Sequence, residues 1–274
     1  MLGVQVSNGI MEQQVDAVAG KAMTRNLLCH IYPRRCGKWR RTVAHLLARW
    51  PQFTGKRVVT IAVDGCCDDP EDVIEAFGGA GEEVSFIVKD NVPELQEVAS
   101  FTPMMERVIH EPGITLYCHA KGATHERDDA ASHKWCDAMA AACLDYSELV
   151  DCCFKSGANI AGAFRSHGLW SFPGYHNWHF AGTWWWVKNA RAAELDWRNV
   201  HPNFMGVEAW PGIFPLAESA CLFYDNANTA HLYNNEFWRE NIAPAMKYWH
   251  KSLQSCGILP LSKNSVAVLD PAMA

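Results

Sequence analysis

Short apolar runs alternate with helix-period stretches along most of the chain. Residues 57–63 are β-branched and unbroken, the pattern of a strand buried on both faces. A similar run at 26–32 is stopped by Pro33, and residues 83–89, 114–119, 159–164 and 220–224 read as further strands. After Pro33, Trp39, Val43, Leu46, Leu47 and Trp50 recur at spacings of three and four, which predicts a helix with one apolar face. Helices are also predicted over 70–77, 93–111, 130–154, 189–195 and 237–253, the last with Trp238, Ile242, Met246 and Trp249 on one side. Residues 167–178 are rich in Gly, Pro, His and aromatics and read as a long irregular loop, a kind of segment that tends to carry function. The alternation predicts an α/β fold, a mostly parallel central sheet flanked by helices. It fills one domain over residues 25–274, after a weakly patterned lead-in at 1–24.

Composition narrows the class. Of 274 residues, 49% are hydrophobic and 20% charged, too apolar for a disordered chain. The net charge of -6 argues against a nucleic-acid coat, which needs a basic surface to neutralise phosphates. No apolar run approaches the ~20 residues of a membrane span. The first twenty residues lack a basic stretch followed by an apolar one, so no signal peptide is expected and the cytoplasm is the expected compartment. Eleven cysteines include the adjacent pairs Cys66-Cys67 and Cys152-Cys153 but no CxxC, which predicts buried, reduced thiols rather than zinc or a disulfide framework.

Ligands of open parallel sheets sit beyond the carboxyl ends of strands, so polar residues there come first. Asp64 ends the second strand; a carboxylate there can accept hydrogen bonds from a sugar hydroxyl or a base, or can form a turn or a helix cap. His119 and Lys121 follow the fourth strand on one face, with Gly122 allowing a close approach and His125 nearby. A lysine beside a histidine suits a diphosphate. A core-edge histidine with a solvated lysine, or a metal held by His119 and His125 with no evident third ligand, are the alternatives. Glu208 lies among Phe204, Met205, Val207 and Trp210, where burial would raise its pKa towards that of a general base. A glutamate in the first turn of a helix would look the same in sequence. Trp184, Trp185 and Trp186 are expected either to expose at least one ring or to be sandwiched between two packing layers.

The turn Val63-Asp64-Gly65-Cys-Cys-Asp68 resembles the end of the second strand in GT-A glycosyltransferases. Leu116-Tyr-Cys-His-Ala-Lys-Gly122, Trp135, His179-Phe-Ala-Gly-Thr-Trp-Trp-Trp-Val187 and Glu208-Ala-Trp210 resemble a bacterial glycosyltransferase-like group, some of whose members are related to rhamnan-synthesis proteins. The likeness covers roughly residues 26 to 225. It implies a GT-A-like nucleotide-diphospho-sugar transferase fold and transfer of a sugar from a nucleotide-sugar to a glycan or lipid-linked acceptor in polysaccharide biosynthesis. It assigns donor binding to Pro33, Asp64, His119, Lys121, Gly122 and His125. It assigns the acceptor side to His179, Gly182, Trp185, Trp186 and Trp210, and the base of an inverting reaction to Glu208. The family's D-x-D metal motif is missing, with His119-Ala-Lys121 in its place, so the Mn2+ or Mg2+ that such enzymes use has no evident ligand here. Peripheral association with a membrane is compatible with a lipid-linked acceptor. A catalytically inactive GT-A-like carbohydrate-binding module is the rival expectation, and a metal-dependent hydrolase using the twelve histidines a third.

Overall fold

The computed structural model describes residues 23–78, 84–121, 130–168 and 172–261. Its frame is a seven-stranded sheet in the order β3-β2-β1-β4-β8-β5-β9. The strands are β1 (Arg25–Ile31), β2 (Arg57–Val63), β3 (Ser85–Asp90), β4 (Ile114–His119), β5 (Ile160–Ala163), β8 (Trp185–Lys188) and β9 (Ser219–Phe223). A separate antiparallel ribbon joins β6 (Arg165–His167) to β7 (Trp178–Phe180). Pairings within the main sheet are parallel except those of β8, which runs antiparallel to both β4 and β5. The fold is therefore α/β with a mostly parallel central sheet flanked by helices, as the alternating pattern predicts.

The pleat sorts each strand between two apolar layers. From β1, Leu27, Cys29 and Ile31 enter one layer, together with Trp39, Val43 and Leu46 of α1 (Trp39–Leu47), Val73 and Phe77 of α2 (Pro70–Gly78), Trp135 and Met139 of α4 (Ala130–Ala140) and Val150 of α5 (Ser147–Lys155). Leu28 enters the other, against Phe101, Met104, Met105 and Val108 of α3 (Val98–Val108), Ala192 of α6 (Asn189–Ala193) and Val207 of α7 (Gly206–Ala209). The central strands are closed on both faces, which explains why their sequences are unbroken apolar runs.

Several expected elements differ in extent. The helix predicted from residue 93 starts as α3 only at Val98, because Gln96 takes a left-handed φ of 48° and turns the chain. The helix predicted over 130–154 is interrupted: α4 widens into a π-turn at Ala141–Asp145, and α5 begins after Tyr146. The expected loop at 167–178 begins as the end of β6 and closes on β7. Residues 179–187 are not one extended segment. Gly182 (φ 93°) and Thr183 (φ 59°) reverse the chain between β7 and β8. The lead-in at 1–24 falls outside the described residues except for its last two.

Candidate active site

The carboxyl ends of β2, β1 and β4 lie side by side on one edge of the sheet, and His30 of β1 pairs in register with His119 of β4. Here the strand order reverses: β1 leads to β2 on one side, while the chain leaving β3 crosses back to β4 on the other. Such a switch point opens the crevice where ligands bind in open α/β sheets.

Two groups of polar residues occupy this edge. The first centres on Asp64, which is exposed just beyond β2. Its carboxylate accepts from Tyr32 Oη at 2.5 Å, from Asn91 Nδ2 at 3.0 Å and from the Cys66 N–H at 2.8 Å. The Tyr32 bond, with those of Cys66 and Asn91, outweighs partial desolvation and holds the carboxyl at about 2. Pro33 is buried beside it, and its carbonyl accepts the Asp68 N–H at 2.7 Å. With neighbouring strands ~4.8 Å apart, Asp64 stands about 10 Å from the end of β4.

The second group is buried and holds two carboxylates. Glu97, 5% exposed, precedes α3. Its Oε2 lies 3.0 Å from His119 Nδ1 and accepts from Tyr117 Oη at 3.3 Å; its Oε1 accepts from Thr183 Oγ1 at 3.5 Å. Ser100 Oγ donates to the Glu97 carbonyl at 3.0 Å and lies 2.7 Å from His30 Nδ1, so His30 is the donor of that second bond. Glu208 of α7 is 8% exposed; its Oε1 accepts the Gly182 N–H at 3.1 Å and lies 4.0 Å from His179 Nε2. The Lys121 ammonium sits 3.8 Å above the Trp135 ring and 3.4 Å from Tyr233 Oη.

Their environments push the two carboxylates apart. Burial raises Glu97, but His119, by charge and by hydrogen bond, together with His30 and Lys121, reverses this and leaves it below the ordinary range. Burial also raises Glu208; Lys121, the Gly182 N–H and His119 oppose it without reversing it. Burial takes His30 to about 4 against the pull of Glu97, and takes His179 to about 4 with His167 adding to the effect. A buried ionised carboxylate beside one that resists ionisation is the arrangement from which acid and base roles are built.

Among the residues expected to bind a donor or acceptor, His119, Lys121, Glu208, Gly182 and His179 come together. Asp64 lies on the same edge two strands away, and Pro33 one strand away. Gly122 and His125 lie outside the described residues. The expectation that the tryptophan run exposes a ring is corrected: Trp184, Trp185 and Trp186 are each 0% exposed. Trp184 and Trp186 enter the α1 layer; Trp185 enters the α3 layer, stacked between Tyr117 at 5.1 Å and Trp210 at 4.9 Å. Rings closed on both faces offer nothing to a sugar, so Trp185, Trp186 and Trp210 are core residues rather than acceptor contacts. Lys121 likewise is not the solvated lysine of the alternative reading, being covered by two aromatic rings.

Sequence reasoning missed Glu97 and Thr183, whereas His30 and Tyr32 fall in the strand-end segment 30–35, where polar residues are candidates by position. Glu97 had a signal: with Phe101, Met104, Met105 and Val108 it continues the apolar stripe of α3, so a carboxylate stands where a core side chain is expected.

The described part of the site offers no evident set of ligands for a divalent ion. Among the described residues no group of three His, Cys, Asp or Glu side chains is arranged to hold a metal. Lys121 is a cation within the cluster, and Asp64 is already engaged by three donors. No described helix is long and apolar enough to cross a membrane. A groove of about 820 Å³ between α1, α4 and residues 238–250 shares no residue with this site. Its central charges are paired internally, Arg41 and His45 with Asp137 and Arg49 with Asp145.

No protein-family model matches the chain, and no curated protein matches it. Solved structures similar to it include two nucleotide-sugar enzymes by their descriptions. One is glucosyl-3-phosphoglycerate synthase from Mycobacterium tuberculosis, in complex with Mn2+, UDP-glucose and phosphoglyceric acid. It is 10% identical with a TM-score of 0.38, over 86% of this chain and 81% of that one. The other is a protein assigned as a nucleotide-diphospho-sugar transferase from Desulfovibrio desulfuricans G20, 8% identical with a TM-score of 0.34, over 86% of this chain and 97% of that one. Likenesses of this size carry no statement about activity.

Proposed function

We propose that this protein is a GT-A-like glycosyltransferase that moves a sugar from a nucleotide-sugar donor to a hydroxyl of a glycan or lipid-linked acceptor. The observation that supports this best is the gathering of Glu97, His119, Lys121 and Glu208 at the switch point of the sheet, on the edge that also carries the ionised Asp64. Asp64 would accept hydrogen bonds from the ribose or base, and Lys121 and His119 would meet the diphosphate. Glu208 would serve the acceptor. In the transfer, the bond from C1 of the sugar to the diphosphate oxygen breaks and its electron pair stays with the diphosphate. The acceptor oxygen bonds C1 and gives its proton to Glu208. A base whose pKa is raised by burial holds that proton better than a solvated carboxylate. Positive groups beside the departing diphosphate stabilise the charge that grows there. A glycan or lipid-linked acceptor would make the reaction a step of polysaccharide assembly.

A carbohydrate-binding module would need an exposed aromatic platform, and Trp184, Trp185 and Trp186 are internal. Calorimetric titration with uridine, guanosine, thymidine, adenosine and cytidine diphosphates tests the reading. At least one should bind, and the matching nucleotide-sugars should release it when acceptors are supplied. Absence of binding by all five would overturn the proposal.

A further inference from the structure

Among the described residues, the His119 ring is held from one side. Its Nδ1 lies 3.0 Å from Glu97 Oε2, while its Nε2 is buried and meets no hydrogen-bond partner there. Buried polar atoms are nearly always paired, so an orphaned ring nitrogen at a strand end calls for a role. A carboxylate only accepts, which puts a proton on Nδ1 and leaves Nε2, on the opposite edge of the ring, to meet whatever enters.

The surroundings of Glu97 fix it in this duty. Tyr117 Oη and Thr183 Oγ1 each donate to its carboxylate. The residue before it, Gln96, and its partner Thr183 both adopt left-handed backbone conformations (φ 48° and 59°). Such strain persists where the surroundings enforce it, and it collects at ligand clamps and active sites. Among the described residues, the charged and titratable groups facing Glu97 and His119 include His30 from β1, Tyr117 from β4, Lys121 after β4 and Glu208 from α7.

We propose that Glu97 is the positioning residue of the site: its carboxylate fixes His119 as the Nδ1–H tautomer, so that Nε2 is the nitrogen that contacts the donor diphosphate. This rests on the sugar-transfer reading for the identity of the ligand. With the diphosphate bound, the ring lies between two anions and carries both protons. Nδ1–H donates to Glu97 and Nε2–H to a phosphate oxygen. The ring keeps its protons during transfer, and its hydrogen bond strengthens as negative charge collects on the departing oxygen. Lys121 adds a second positive charge beside the same ligand.

Nitrogen-15 chemical shifts of His119 in the full chain test this with or without turnover. In the free protein, at a pH where the ring is neutral, Nδ1 should be protonated and Nε2 bare. Addition of the nucleoside diphosphate that binds should protonate Nε2 as well. Glu97→Gln, whose amide can donate to Nδ1, should shift the ring towards the Nε2–H tautomer. It should also weaken diphosphate binding by about 10–100-fold, the scale of a charge-assisted hydrogen bond, with the melting curve still cooperative. A glutamate with a packing role alone would change stability and leave the tautomer where it was. An Nε2–H tautomer in the free wild-type protein overturns the proposal, and this needs no variant to fold. If a diphosphate binds and Nε2 does not respond, the proposal falls while the sugar-transfer reading stands. If no diphosphate binds, both fall.

Discussion

The backbone N–H of Gly182 donates to Glu208 Oε1 at 3.1 Å, joining the reversal before β8 to the short helix α7. The bond depends on a conformation that only glycine adopts easily: φ is 93°, and a Cβ would lie 2.6 Å from Met139 Sδ and 2.9 Å from Trp135 Nε1. Gly182→Ala should therefore destabilise the fold by roughly 2–4 kcal/mol, from left-handed strain and overpacking together. Chemical denaturation would measure this, and an unchanged midpoint would show that the turn can relax.

Glu208→Gln keeps the shape of the side chain and removes proton acceptance. On the proposed function, the variant should bind a nucleoside diphosphate normally and lose turnover by about 10²-fold or more. Its stability has a definite sign. A carboxyl raised by folding binds its proton more tightly in the native state, so stability falls as pH rises from the unfolded carboxyl value towards the folded one. The variant should therefore be at least as stable as wild type at neutral pH, with any advantage disappearing in acid. Paired denaturation curves at pH 7 and pH 3.5 would check this; a variant less stable at both would mean that the carboxylate is structurally required.

Tyr32→Phe should return the Asp64 carboxyl from about 2 towards its ordinary 3.8, because the Tyr32 bond is the largest influence on it. A depressed carboxyl contributes stability above its unfolded pKa and loses it as pH falls through the folded one, so this small contribution should be complete above the ordinary 3.8 and mostly lost by about pH 2. Asp64 is exposed, and solvent screening keeps the effect on global stability slight. Carbon-13 titration of the side chain is the suitable measurement, and no change in midpoint would disprove the assigned cause.

Lys121→Met preserves most of the stem packed on Trp135 and removes the ammonium. The chain should stay folded, at a cost of up to ~2 kcal/mol in lost cation–π attraction. Nucleoside-diphosphate affinity should fall by about 10–100-fold if the ammonium meets the phosphates. Equal affinity in calorimetry would confine Lys121 to a structural part.

Trp185→Ala separates the two roles once open to that residue. Removing a ring stacked between Tyr117 and Trp210 should cost ~3–5 kcal/mol, as for other large aromatic truncations. A well-folded variant with impaired acceptor use alone would restore a binding role.

The parts of the fold visible in sequence are those that packing alone decides. Arg57–Val63 and Ile114–His119 are buried on both faces, and their apolar runs coincide with the strands. Strand direction was not visible, because the reversal feeding β8 depends on Gly182 and Thr183, and threonine carries no turn signal of its own. In the site, residues next to strand ends were found because topology confines ligands there. Glu97 was missed because it lies next to His119 only in three dimensions, and the helix start that delivers it is set by Gln96, a residue with no helix-capping signature. The tryptophans misled because an aromatic cluster has the same composition whether it faces solvent or forms the partition between two core layers.

The reversed direction of β8 also bears on the order in which the molecule is assembled. Strands β1 to β4 are joined by successive local crossovers, whereas β8 must find Tyr117 and Leu116 of β4 from far along the chain. Closing so large a loop is slow compared with forming the neighbouring βαβ units. Gly182 and Thr183 arrive only with β8, and they supply the donors that hold Glu208 and Glu97. A nascent chain could thus have most of its sheet and still lack the carboxylate cluster, which is completed at the last docking event.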